Sequence, residues 1–262
     1  MKISSKLKEE LLYYADYYNH PRFIEQDPIQ IPHLFTKKQD IEIAGFWTAI
    51  LSWGNRTTII KKSKELMCLL EQSPHEFILN HSEKDRTRFE HFVQRTFQYT
   101  DSLYFLEFLQ HWYKNHDSLE SAFGLENQKA QTHIEQNLIH FHNCFFSLPD
   151  VPERTKKHIS TPISGSRCKR LIMFLRWMVR NDKSGVDFGI WSTISPKQLL
   201  LPLDVHVERM ARQLNLLQRK ALDWKAVLEL GQNCSMILPE DPAKLDFALF
   251  GLSLEQKKKS QF

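Results

Sequence analysis

Glycine is scarce in this chain: eight residues in 262, less than half the usage of roughly 7% typical of globular proteins. They stand at 45, 54, 124, 165, 185, 189, 231 and 251. No pair has the spacing of a dinucleotide-binding fingerprint or a Walker loop, so Rossmann and P-loop chemistry is not expected. So few glycines also disfavour a sheet-rich fold, which needs them at turns and bulges. Cysteine is thin too. Cys68, Cys144, Cys168 and Cys234 lie far apart with no Cys-x-x-Cys pair, which argues against a zinc site or a secreted disulfide framework and for four free thiols. Nowhere do eighteen apolar residues run together, and the opening stretch MKISSKLKEELLYYADYYNH has no unbroken apolar segment. Neither a membrane span nor a signal peptide is therefore expected, and a cytoplasmic location follows as an expectation. G-x-S-x-G, H-E-x-x-H and Gly-rich phosphate cradles are all missing, and no metal or cofactor is expected.

What is present reads as helix. Hydrophobic residues make up 42% and charged residues 25% of the chain, and the length suffices to bury a core without disulfides. Ile43, Phe46, Trp47 and Ile50 recur at intervals of three, one and three, the apolar stripe of an amphipathic helix. After Ser52-Trp53-Gly54-Asn55 a second helix carries Ile59, Leu66 and Leu70 on one stripe. Phe105, Phe108, Leu109 and Trp112 repeat the pattern, and residues 127–149 read as a further helix. His140, His142 and Cys144 look like metal ligands there, but alternate helical positions splay by about 200° and do not converge on one ion. Pro149, Pro152 and Pro162 mark a boundary. Beyond it, Cys168 to Arg180 places Leu171, Leu175 and Met178 on one face and Lys169, Met173, Arg176 and Arg180 on another, so a basic ridge is expected along this helix. Asn181–Gly185 reads as a turn and VDFGIW as an irregular aromatic loop. Asp204 is placed to cap a helix that buries Val207, Met210, Ala211 and Leu214. Another helix starts near Asp223, and a last one near Asp241-Pro242, an N-cap followed by proline. Lys257–Lys259 reads as a frayed, solubilising tail. With no repeat of 20 to 50 residues, the chain is expected to be one all-α body, 1–262, in two lobes with a boundary near 149–162.

Net charge is only +4, yet it is unevenly spread. From Val151 to Gly185 nine Lys or Arg residues (Arg154, Lys156, Lys157, Arg167, Lys169, Arg170, Arg176, Arg180 and Lys183) face two acids, Glu153 and Asp182. Such a patch suits a polyanion, or is simply a solvated helix face.

The stretch 161–214 combines a short Ser-Gly-Ser connection (164–166), a lysine at a helix start and the aspartate of PLDVHVERMARQL. It resembles the helix-hairpin-helix superfamily of DNA base-excision glycosylases. Through CKRLIMFLRWMVR, VDFGIW, PLDVHVERMARQL and PEDPAKLDFALFGL the chain more closely resembles the bacterial domain of unknown function 2400, a family that looks related to archaeal 8-oxoguanine glycosylases. The close match covers roughly residues 160–252, and ILSWGN resembles the ILSQ-type helix end of the glycosylases. The resemblance implies an all-α, helix-hairpin-helix fold with a cleft between two lobes, duplex DNA carrying a damaged base as partner, Lys169 as the nucleophile of a bifunctional enzyme and Asp204 as the catalytic aspartate. The sequence departs from that pattern twice. The usual hairpin holds two glycines in an apolar-x-G-x-G arrangement, whereas only Gly165 stands here. The interval from Lys169 to Asp204 is 35 residues, longer than in typical relatives because VDFGIW lies between them.

The chemistry of these residues fits such a site. Breaking an N-glycosidic bond builds positive charge on the sugar, which a carboxylate in a dry cleft stabilises; Asp204 is equally a plain N-cap. A nucleophilic lysine must be neutral, and desolvation, the positive end of its own helix and the neighbouring Arg167 and Arg170 all favour that for Lys169; it could as well be one more phosphate-binding cation. Gly165, Ser166, Arg167, Arg170, Arg176 and Arg180 are the candidate DNA contacts. A flipped base needs aromatic faces, for which Trp53, Phe188 and Trp191 in expected loops are candidates, with core packing the alternative for each; His206 is a further candidate. Besides a glycosylase or lyase, the sequence leaves open a catalytically silent nucleic-acid-binding protein and a helical module that meets an acidic protein partner.

Overall fold

The structure is a computed structural model that describes residues 3–125 and 128–259. Its regular elements are helices: α1 (Ser5–Tyr18), α2 (Lys38–Leu51), α3 (Arg56–Leu69), α4 (Pro74–Asn80), α5 (Glu83–Arg86), α6 (Tyr99–Asn115), α7 (Glu135–Phe145), α8 (Lys169–Val179), α9 (Val205–Gln213), α10 (Trp224–Ile237) and α11 (Leu245–Lys259), joined by short 3-10 turns. Among the described residues the one trace of β structure is an isolated bridge between Gln94 and Phe97. No helix is long and apolar enough to cross a membrane among those residues. None of the four cysteines is joined in a disulfide. The side chains of Lys257–Lys259 lie outside the described residues, as does Asn127.

The chain divides into two compact units that interleave in sequence. One comprises Met1–Glu25, Asn127–Gln136 and Thr161–Phe262; the other comprises Gln26–Glu126 and Asn137–Ser160.

In the second unit α2 is the core. The sequence shows a one-sided stripe, but every residue from Ile41 to Leu51 is buried, including Glu42. That carboxylate is satisfied by the Tyr113 hydroxyl at 2.8 Å, the Leu119 amide at 3.0 Å and the Ser118 hydroxyl, as a buried charge must be. Burial, with the charge of Glu42 beside it, pushes the Tyr113 phenol well above its ordinary value. Around α2 the phenylalanines form one aromatic cluster: Phe46 stacks on Phe105 with ring centroids 5.6 Å apart, and Phe108 packs on Phe145 at 4.4 Å. Asn55 caps α3 through bonds to Thr57 and Thr58. His140, His142 and Cys144 do not converge. His142 Nδ1 pairs with the Ile159 carbonyl at 2.8 Å, and no metal-ligating cluster of three occurs among the described residues.

In the first unit α8 is the core. Leu171 through Val179 are all buried, so this helix too is enclosed on every side. α1 packs along α11, and α11 along α9. The helix expected over 127–149 is shorter, because the side chain of Gln198 takes the Gln128 and Gln131 carbonyls at 3.0 and 2.7 Å, diverting them from a helical ladder. Asp223 caps α10 by accepting from the Ala226 amide at 3.1 Å. The last helix begins close to the expected place: Asp241 precedes a 3-10 turn, Pro242–Lys244, that runs directly into α11. Its carboxylate makes no cap; it is spent on Arg180.

Candidate active site

Two helix starts in the first unit define the site. Cys168 is the N-cap of α8, with a left-handed backbone (φ 47°) and no side-chain capping bond; Lys169 is the first residue of that helix and is partly exposed. Asp204 caps α9. Its Oδ1 accepts from the amides of His206 at 2.8 Å and Val207 at 2.9 Å, the arrangement expected of an N-cap aspartate. Its Oδ2 receives neither of these bonds. The two starts are fastened together by Arg167, which donates to the Leu203 carbonyl at 3.2 Å, one residue before Asp204 and two before Lys169 on the respective strands of chain.

A third group completes the arrangement. Asp246, in the first turn of α11, is buried and ion-paired with Arg176. Burial pushes its carboxyl up to about 7, and the charge of Asp204 adds to this, while Arg176 and Lys169 oppose it. The same buried carboxyl therefore lies within electrostatic reach of both Lys169 and Asp204.

The basic ridge is not on the surface. Arg176 is 3% exposed and Arg180 fully buried. Arg176 Nε sits 3.3 Å from Asp187 and its Nη1 pairs with Asp246. Arg180 contacts Asp187 at 2.6 Å, Asp241 at 2.8 Å and Asp182, and both guanidiniums lie over the Phe247 ring. Three carboxylates hold the Arg180 guanidinium above its ordinary value against the opposing effect of burial. Burial would raise Asp182, but hydrogen bonds from Ser184 and the charge of Arg180 bring it to about 2. Two residues assigned to DNA contact are thus interior ion-pair partners. The physical reason is that α8 has no polar face to offer solvent: between Leu171 and Val179 the arginine is the single polar residue, and acids from the loop after the helix and from the first turn of α11 neutralise it.

That loop is the VDFGIW segment. Phe188 and Trp191 donate backbone N–H bonds to the Trp177 and Met178 carbonyls at 2.8 and 2.9 Å, closing the C-terminal end of α8, where carbonyls lack helical partners. Gly189 has φ 57°, and a Cβ there would stand 2.5 Å from Asn181, so no other residue fits without strain. Trp191 is buried, edge-on to Phe174 at 5.2 Å. It is a core residue, not a platform for a base. Phe188 is partly exposed. His206 turns its ring against Phe250 at 5.3 Å, toward α11, which makes it a packing residue between α9 and α11. Trp53 belongs to the second unit; it is half-exposed and lies under the Arg95 guanidinium, 5.1 Å from the ring centroid.

Of the remaining cations, Arg167, Lys169 and Arg170 cluster at the start of α8, and burial pulls the Arg170 guanidinium down to about 10. The Ser-Gly-Ser connection precedes them. Gly165 is exposed with φ 74°, ends the 3-10 turn Pro162–Ser164, and accepts from the Trp224 amide at 2.9 Å; Ser166 Oγ accepts from the Cys168 amide at 3.2 Å. Ile163, beside Gly165, and Val205, beside Asp204, are 73% and 68% exposed. The sequence singles out neither Asp187 nor Asp246, and it offers Asp241 only as a helix cap.

A family model described as Protein of unknown function (DUF2400) matches residues 27–255. No curated protein matches the chain. No solved structure matches it either.

Proposed function

The chain belongs to that family of unknown function, and from this premise we propose that it is a DNA glycosylase with lyase activity, acting on a damaged base such as 8-oxoguanine. What supports the reading is that the chain just before Lys169 and the chain just before Asp204 are joined by the Arg167–Leu203 bond, and that the buried Asp246 has both residues as electrostatic neighbours. In this scheme the neutral Lys169 amine attacks the sugar carbon C1′, and the C1′–N bond breaks with its electron pair leaving on the base, which takes up a proton. The open carboxylate oxygen of Asp204 stabilises the positive charge that develops on the sugar. Loss of a proton from the attacking nitrogen and opening of the sugar ring then leave an imine. The cations at the start of α8 and the positive end of that helix would hold the flanking phosphate.

The test is incubation of the full chain with a panel of lesion-bearing duplexes, 8-oxoguanine opposite each base among them, followed by strand analysis. Base release or strand cleavage on one lesion supports the proposal. Salt-dependent binding with no release would make the chain a catalytically silent nucleic-acid-binding protein, and absence of both would overturn the nucleic-acid reading.

A further inference from the structure

Arg176 and Arg180 are interior residues, but α3, in the second unit, carries cations that face solvent. Its sequence holds Arg56, Lys61, Lys62 and Lys64 against one acid, Glu65. Ile59, Ser63, Leu66 and Met67 are its buried residues, which turns the opposite face outward. On that face Thr57, Lys61 and Lys64, spaced by four and three, form one row, and all three are exposed. Lys62 and Glu65 stand on a flank instead, where they pair at 2.9 Å and the Lys62 ammonium lies 5.4 Å from the centre of the Phe92 ring. The outward row itself contains no acid.

The row continues at the head of the helix. Arg95 is exposed, and its guanidinium lies over the Trp53 ring, 5.1 Å from the centroid. Two backbone features place it there. Arg95 has φ 54° and Gly54 has φ 114°, a region that residues with side chains enter at a cost. A Cβ at Gly54 would stand 2.4 Å from Arg95 Nε, so a side chain there would displace the guanidinium. Left-handed backbone at a residue other than glycine recurs at ligand clamps. Gly54 and Asn55 are exposed as well, and the Asn55 side chain accepts from the Thr57 amide at 2.9 Å. An unbroken run of exposed residues therefore leads from Arg95 past Gly54, Asn55 and Thr57 to Lys61 and Lys64. From Thr57 to Lys64 it rises about 10 Å, at ~1.5 Å per residue.

The chemistry of this run selects its partner. A guanidinium covered on one face by an indole keeps the N–H donors at its rim, the fork that meets two oxygens of a phosphate. Three like charges spread along a helix match a chain of anions better than a single one. A protein interface centres on an apolar anchor, which this row lacks, since the ring of Trp53 already carries Arg95. Interfaces with DNA are polar and strongly positive.

We propose that Arg95, Lys61 and Lys64 form a surface that binds the phosphodiester backbone of duplex DNA without regard to sequence. It shares with the glycosylase reading only the nature of the partner, and it concerns undamaged DNA. The test is fluorescence anisotropy of an end-labelled, undamaged duplex titrated with the full chain over a range of salt concentrations. Binding should fall as salt rises. Lys61→Gln, Lys64→Gln and Arg95→Gln should each flatten the log–log salt slope by about 0.9, and the triple variant by about 2.7, with the unfolding midpoint unchanged because all three side chains are exposed. Arg95→Lys should keep the slope yet weaken binding several-fold, because an ammonium offers no planar fork. Polyglutamate of the same charge should compete poorly with the duplex. Absence of binding at low salt, an unchanged slope in the triple variant, or equal competition by polyglutamate would overturn the proposal. Base release from a lesion-bearing duplex with an unchanged slope in the triple variant sinks this surface and leaves the glycosylase reading standing; a flattened slope without base release does the reverse.

Discussion

Replacing Arg180 separates an interior ion-pair network from a surface ridge. In the structure its guanidinium is fully buried and contacts three carboxylates, Asp182, Asp187 and Asp241. Arg180→Met keeps most of the apolar stem and removes the charge, leaving Asp187 with Arg176 and the other two acids without their cation. Removing one partner of a buried pair costs about 3–5 kcal/mol, because the remaining charge stays desolvated. Part of this is readable through Asp182. Its carboxyl lies at about 2 rather than 3.8, a difference worth roughly 2.5 kcal/mol at ~1.4 kcal/mol per unit, of which Arg180 supplies a share. Because the folded-state value is depressed, that stabilisation is fully present above pH 3.8 and disappears as pH falls through 2. Urea unfolding of wild type and variant should therefore differ by about 3–5 kcal/mol at pH 7, and the gap should narrow below pH 4. A solvent-facing arginine would instead leave stability within about 0.5 kcal/mol and lower the salt slope of DNA binding by nearly one unit. Unchanged stability at pH 7 would refute the interior network.

Asp246→Asn should remove a pH-dependent loss of stability: the folded carboxyl at about 7 is raised, so its contribution is complete below pH 3.8 and falls by up to about 1.4 kcal/mol per pH unit until pH 7; a wild type and variant with parallel stability profiles from pH 4 to 8 would contradict this. Trp191→Ala should cost about 3–5 kcal/mol and Trp53→Ala less than about 1, measured by the same unfolding experiment. Gly189→Ala should destabilise by more than about 1 kcal/mol through its positive φ and the contact with Asn181, while Asp204→Ala should lose about 1 kcal/mol of helix capping, visible as a lower unfolding midpoint independent of any catalytic effect.

The helices were legible because their apolar residues recur at helical intervals and their caps are local. Asn55, Asp204 and Asp223 each bond amides two or three residues ahead, so sequence distance and spatial distance coincide. The interleaving of the two units was not legible, since no composition change accompanies the crossings near residues 25, 126 and 136. The basic ridge misled for a different reason. Spacing put Arg176 and Arg180 on one stripe, but the surrounding LIMFL and WMV leave α8 no polar side, and that continuous apolar run was the signal that both arginines point inward. Their partners Asp187, Asp241 and Asp246 come from up to 70 residues away, beyond the reach of any local pattern. The same long-range packing put Trp191 in the core and set the His206 ring against Phe250, whereas Lys169 and Asp204 keep the helix-start positions their flanking residues dictate.

The most direct test of the proposed chemistry is borohydride trapping on a lesion-bearing duplex with wild type, Lys169→Gln and Asp204→Asn. An attacking lysine leaves an imine that borohydride reduces to a stable amine, joining protein to DNA. The account predicts a trapped adduct with wild type, none with Lys169→Gln, and a strongly reduced yield with Asp204→Asn at undiminished DNA binding, because the carboxylate acts on the charge developing in the transition state. An adduct that persists in Lys169→Gln, or base release with no adduct in wild type, would contradict the assignment of Lys169 as the nucleophile.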